Sequence, residues 1–232
     1  MKTKSMALMV LLCLAIPLFA SSQPANAGSY LSKDSISRKG YTLIYINKAE
    51  DFNPEVGERL KETFFEVYPE LVKQFNKKST RKVTFVIDPD YDGVAATSAD
   101  KVVYSPKWFA AHPGDIDVVT HEVMHIVQAY GRTPGPWWVT EGIADYVRFK
   151  YGVDNAGAGW SLPELTEKHH YTNSYRITAR FFVWLEKHKD EKLIKKIDQL
   201  MRGHSYRDES WKELTGQTID ELWDEYRKNA AI

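Results

Sequence analysis

Cysteine is almost missing: among 232 residues there is one, Cys13. A single thiol excludes a disulfide framework and any zinc site built on several thiolates. A charge surplus is missing too, since 31 Lys+Arg face 31 Asp+Glu. A chain devoted to nucleic acid ordinarily carries a basic excess, so no nucleic-acid partner is expected. Apolar runs are short. Met6–Ala20 is the longest, and its fifteen residues fall below the ~20 that a spanning helix needs, so no membrane span is expected. No internal repeat or long charge block is found. What remains is an ordinary globular composition, 43% hydrophobic and 27% charged, long enough for one large domain or two small lobes with a real core.

The beginning of the chain has its own logic. Lys2 and Lys4 precede the Met6–Ala20 run, and Ala25-Asn26-Ala27 follows as a small-x-small exit. A basic start, a short apolar middle and small residues at the end predict a secretory signal peptide over residues 1–27. Lipid attachment at Cys13 is disfavoured, because the preceding Leu12 is bulky. Cleavage near Ala27 would leave an exported, thiol-free chain. Without Lys2 and Lys4 it carries 29 basic against 31 acidic residues, a net of −2.

Beyond the leader, Tyr41–Asn47, Lys82–Asp88 and Lys101–Ser105 are β-branched and aromatic enough to predict strands. Pro54–Phe75 carries Val56, Leu60, Phe64, Val67 and Leu71 at helical spacing, with Pro69 as an expected kink or break. From Asp115 onward helices are expected over Ile116–Tyr130, Trp138–Tyr151, Tyr175–Lys187, Glu191–Arg202 and Ile219–Lys228. Thr218 and Glu221 read as a capping box for the last of these. Gly152–Gly159 has the composition of a mobile loop. Trp211, Leu214, Leu222, Trp223 and Tyr226 fall at helical spacing and are expected in the core rather than on a carbohydrate-binding face.

The chemistry lies at His121-Glu122-Val123-Met124-His125. Imidazoles at i and i+4 lie one turn apart on one helix face, where both can bind one zinc while Glu122 reaches a water on it. Val118, Val119, Val123, Ile126 and Val127 make this helix apolar over much of its circumference, so a buried setting is expected. Gly131, Pro134, Gly135 and Pro136 end it and turn the chain back. Catalytic zinc keeps three protein ligands and an open position. Without cysteine the third must be His, Asp or Glu. Glu141 and Asp145, again i and i+4, suit one ligand and one carboxylate that orients an imidazole, and spacing alone leaves open which is which.

The runs HEVMHIVQAYG, WWVTEGIADYVR, SYRITARFFVWLE and LTGQTIDELWDEYR, with GVAATSADKVVYSPKWFA ahead of them, resemble the basic secretory protein family, peptidases of plants and bacteria. The resemblance covers most of the chain beyond the leader, in order. It implies an α+β fold of zincin type, in its gluzincin form. A small mixed sheet with helices over residues 28–131 would precede a mainly helical lobe over 132–232, with the active-site helix between them. It implies His121, His125 and Glu141 as zinc ligands, Glu122 as general base and Asp145 as partner of a zinc histidine. Two departures stand out. The chain is not basic, and the interval of 15 residues from His125 to Glu141 is short for a gluzincin.

The implied function is a secreted zinc-dependent metallopeptidase, hydrolysing peptide bonds with a water activated by zinc and Glu122. Its partner would be a peptide or protein substrate, and a monomer is expected. Tyr175 is the candidate to stabilise the oxyanion, with His169 and His170 as alternatives. Val102–Ser105 is a candidate sheet edge on which an extended peptide could pair. Asp88-Pro89-Asp90-Tyr91-Asp92-Gly93 begins like a calcium loop, but Ala99 stands where the bidentate glutamate belongs, so a turn is expected. The rival reading is an exported binding or defence protein that keeps the scaffold with little peptidase activity. A zinc hydrolase of another amide would use the same residues.

Overall fold

The computed structural model describes residues 30–131 and 135–232. The expected signal peptide and Pro134 of the expected turn lie outside them. The described residues form an α+β structure with a five-stranded mixed sheet and eight α-helices.

Strands β1 (Ser32–Arg38) and β2 (Tyr41–Asn47) pair as an antiparallel hairpin. Helix α1 (Pro54–Gln74) then leads to β3 (Lys82–Ile87), which runs parallel to β2. Alternation explains β2: Tyr41, Leu43 and Tyr45 face the core and are buried, while the residues between them are half-buried. Asn53 caps α1, its side chain accepting from the Glu55 N–H, with Pro54 at the first helical position. The buried face of α1 includes Val56, Leu60, Phe64, Val67 and Leu71, as the spacing predicts, and the helix continues through Pro69.

The far side of the sheet departs from expectation. Ala95–Ser98 forms strand β4, which turns back through Ala99 and Asp100 into β5 (Lys101–Tyr104). The sheet order is β1-β2-β3-β5-β4, so β5 lies between parallel β3 and antiparallel β4. The expectation of an edge at Val102–Ser105 is therefore wrong: Val102 and Tyr104 are fully buried, and the edge is β4. Its sequence AATS has no large or β-branched apolar residue to mark it.

After α2 (Pro106–Ala111), the remaining elements are helical. Helices α3 (Val118–Gln128) and α4 (Trp137–Tyr151) pack together and carry the residues of interest. They are followed by α5 (Tyr175–His188), α6 (Leu193–Arg202), α7 (Glu209–Thr215) and α8 (Ile219–Lys228). Residues Val119, Val123, Met124 and Val127 of α3 and Val139, Ile143, Ala144 and Val147 of α4 are fully buried. Each large aliphatic side chain buried this way contributes about 1.5–3 kcal/mol, so both helices are held firmly. Gly142 permits the close approach of α5 to α4, since a Cβ there would lie 2.4 Å from Thr178 Cγ2. The capping box of Thr218 and Glu221 is formed, and Trp211, Leu222, Trp223 and Tyr226 are buried in the core.

Gly152–Gly159 is tied down rather than loose. The buried Asp117 carboxylate, just ahead of α3, accepts from the backbone N–H of Val153 (2.8 Å) and Asp154 (2.6 Å). Arg148 donates to Asn155 Oδ1 and bonds Asp115, which also accepts from Trp108 Nε1. The loop thus becomes a fixed extension of α3 and α4. Among the described residues no helix is long and apolar enough to cross a membrane.

Candidate metal centre

Helix α3 presents His121 and His125 on one face, and α4 brings Glu141 against them. His121 Nε2 and His125 Nε2 lie 3.1 Å apart. Glu141 Oε2 lies 3.3 Å from the first and 3.5 Å from the second. Bonds of about 2.0–2.1 Å at tetrahedral angles put ligand atoms roughly 3.3 Å from one another, so these three atoms have the spacing of one face of a tetrahedron.

The outer nitrogens explain why the inner ones are available. His121 Nδ1 lies 2.7 Å from Asp145 Oδ1, and His125 Nδ1 lies 2.7 Å from Gln128 Oε1. A carboxylate and an amide oxygen only accept, so both Nδ1 atoms carry a proton and, in the neutral imidazoles a metal would bind, both Nε2 lone pairs face inward. Gln128 is itself oriented, because its Nε2 donates to the Thr140 carbonyl of α4 (2.9 Å). It is buried and joins the two helices one residue before Glu141. Sequence reasoning did not single out Gln128, although its position three residues after His125 on the helix was a usable signal.

The electrostatics also ask for a cation. Burial opposes a charge on His121, but Asp145, Glu141 and Glu122 together outweigh it and hold the imidazole up to about 10. Burial likewise opposes ionisation of Glu141, yet the hydrogen bonds from His121 and His125 bring it down to about 2. A dication among these groups would satisfy the demand that the His121 proton otherwise meets. The residues present therefore fit zinc in number, type, spacing and charge.

Glu122 is adjacent and buried. The Thr97 hydroxyl of β4 lies 2.6 Å from its Oε2 and 3.0 Å from its carbonyl oxygen, so the edge strand holds this carboxylate in place. Thr97 is a second residue that sequence reasoning missed. Tyr175 stands at the cleft rim, 45% exposed, its ring stacked on His121 with centroids 6.1 Å apart. Burial first, and then Glu141, Asp145 and Glu122, push its phenol up to about 12, so it stays a donor at neutral pH.

The backbone at Tyr175 is unusual. Ser174 has φ 64° with ψ −177°, and Tyr175 follows with φ 51°. The first is a conformation that only glycine adopts freely, and such residues cost of order 1–3 kcal/mol each. The surrounding packing overcomes that cost and sets the ring over His121.

The other expected candidates lie elsewhere. His170 caps a short 3-10 turn over Tyr171–Asn173, and His169 accepts from the Thr166 N–H. Neither lines the cleft. Asp88 and Asp92 are paired with Lys48 and Lys107, both at 2.8 Å, and Asp88 caps its own turn through the Asp90 N–H. Both carboxylates are paired with lysines, and the segment after β3 is a turn, as expected.

The centre opens into a cleft of about 1850 Å³ bounded by β4, α3, α4 and the start of α5. No curated protein matches the chain. A family model does, that of a peptidase of plants and bacteria, over residues 33–226. That match spans the sheet, the two histidine- and carboxylate-bearing helices and the helices behind them, and the chain belongs to this family, the basic secretory proteins.

Proposed function

We propose that the protein is a secreted zinc-dependent metallopeptidase of the zincin class, in its gluzincin form. The observation that carries the reading is the tetrahedral spacing of His121 Nε2, His125 Nε2 and Glu141 Oε2 directly beside a held Glu122. His121, His125 and Glu141 would hold the zinc, with Asp145 and Gln128 fixing the two imidazoles. When bound, zinc supplies a Lewis acid for the carbonyl and brings the pKa of water to about 7.

The chain's own residues do the rest. Glu122 accepts the proton of the attacking water and returns it to the departing amine. The Thr97 hydroxyl keeps that carboxylate aimed. Tyr175 keeps its proton and donates a hydrogen bond to the developing oxyanion. The substrate would lie extended along β4, whose outer edge has no neighbouring strand among the described residues. Residues 1–27 direct export, and the enzyme begins near Gly28. The centre then lies between the sheet-bearing part of residues 30–131 and the helices of residues 135–232.

Glu122→Gln tests this reading against wild type with a mixed peptide library. Equal zinc content with cleavage only by wild type, and a loss of about 10²–10⁴-fold in the variant, is expected for a general base. Zinc in both and cleavage by neither would turn the assignment to a binding protein.

A further inference from the structure

Two aromatic side chains stand in the cleft beside the centre, and they touch. Among the described residues six large apolar or aromatic side chains are exposed: Tyr30, Leu31, Trp137, Phe149, Val153 and Tyr175. Of these six, Trp137 and Tyr175 border the cleft. Their ring centroids are 6.4 Å apart at an interplanar angle of 76°. Tyr175 in turn lies over His121, the two rings 16° from parallel. Trp137 is four residues ahead of Glu141 on α4, hence on the same helix face and about one 5.4 Å turn away. The indole therefore adjoins the centre by two routes, along the helix of Glu141 and through the ring of Tyr175.

Trp137-Trp138 opens α4, and its two indoles part ways because successive helix residues point about 100° apart. Trp138 goes inward, stacked on Trp211 at 6.0 Å and tilted against Tyr171 at 4.9 Å. Trp137 goes to the cleft and stays 61% exposed. An indole left in water forgoes the burial that makes tryptophan a strong packing residue. A substrate chain at the centre is placed to restore that burial. The pair is also selective by its geometry. A third ring can stack on one of these rings while meeting the other edge-on, the two arrangements that aromatic pairs prefer. A large aliphatic side chain can fill the same corner. A charged one is ill-suited to it: Arg176 borders the cleft beside Tyr175, and the carboxylates of Glu141, Asp145 and Glu122 act on the Tyr175 phenol, so either sign meets its like.

We propose that the Trp137–Tyr175 pair sets the specificity of the enzyme: it seats an aromatic or large aliphatic side chain of the substrate next to the scissile bond, so cleavage falls beside such residues. This rests on the peptidase reading above and adds to it the side chain that is recognised. Trp137 is a binding residue here and takes no part in the proton transfers assigned to Glu122.

The test begins with zinc-loaded wild type and a mixed peptide library, cut sites being mapped by mass spectrometry. Aromatic or large aliphatic residues are expected on one side of the cut bond. Two acetyl- and amide-capped peptides that differ only in carrying Phe or Ala at that position then compare wild type, Trp137→Ala and Trp137→Phe. Trp137→Ala should lower kcat/KM for the Phe peptide about tenfold while changing that for the Ala peptide less than about twofold. Trp137→Phe should keep most of the preference. Affinity is read separately by titrating both peptides into zinc-loaded Glu122→Gln, with and without Trp137→Ala, and binding of the Phe peptide alone should weaken. An equal loss for both peptides would mean that Trp137 merely places Tyr175. Cut sites without such residues, or flanked by charged ones, would mean that the pair does not select. Each of these results would overturn the inference and leave the peptidase reading intact. Failure of wild type to cleave any library peptide would overturn that reading, and the inference with it.

Discussion

The two walls of the cleft are built in opposite ways. One is α3 and α4, where Val119, Val123, Met124, Ile143 and Val147 are fully buried behind the inward-facing His121 and Glu141. The other is β4, four small residues at the sheet edge, alternately half-buried and exposed. The helical wall holds its site side chains through buried packing and the Asp145 and Gln128 hydrogen bonds. The strand wall has no further strand on its outer side among the described residues and gives one side chain, Thr97, to the centre. Under the proposed function, chemistry would sit on the helical wall and recognition on the strand wall, with Thr97, bonded to Glu122, between them.

Substitutions separate the walls. Tyr175→Phe removes the proposed oxyanion donor without touching either wall, and kcat should fall by about 10²–10³-fold with zinc content and KM nearly unchanged. Steady-state kinetics on one capped peptide reads this, and an unaltered kcat would return Tyr175 to a packing role. Gln128→Leu attacks the helical wall, releasing His125 Nδ1 and the tie to Thr140. Zinc affinity should weaken by about 10–100-fold, measured by competition with a chromophoric chelator. Gln128→Glu keeps an acceptor for His125 and should recover part of the loss.

Thr97→Val attacks the strand wall. With the fold and zinc retained, kcat should drop by about tenfold, equivalent to about 1.4 kcal/mol, and Thr97→Ser should restore it. A change in KM alone would place Thr97 in substrate binding instead.

The same contrast explains what the sequence made legible. The helical wall announces itself, because buried helices repeat apolar residues at helical spacing and the HExxH pair rides on that repeat. His121, Glu122, His125, Glu141 and Asp145 could all be named before any coordinates, and the structure brings them together. Strands β2, β3 and β5 were equally plain from their β-branched and aromatic residues. The strand wall was silent. AATS in β4 and SKDSISR in β1 carry no apolar alternation, since one lies at each edge of the sheet and little of either is buried. Pairing that depends on main-chain hydrogen bonds leaves a faint trace in side chains, so the edge was assigned one strand too early.

Polar ties were hidden for a related reason. Thr97 with Glu122, Gln128 with Thr140, and Asp117 with the Gly152–Gly159 loop join residues between 12 and 37 positions apart. Each residue alone is an ordinary polar one. The contacts exist only after the helices pack, so composition made a pinned loop look free.

In the proposed enzyme His121, His125 and Glu141 together bind one zinc, with Glu141 rather than Asp145 as the third ligand. Zinc content by native mass spectrometry and affinity by chelator competition, on wild type, Glu141→Ala and Asp145→Asn side by side, test it most directly. Expected are one zinc in wild type, a loss of at least about 100-fold in affinity for Glu141→Ala, and a smaller loss, within about 10–100-fold, for Asp145→Asn. Equal affinity in wild type and Glu141→Ala, or no zinc in wild type after metal supplementation, would contradict it.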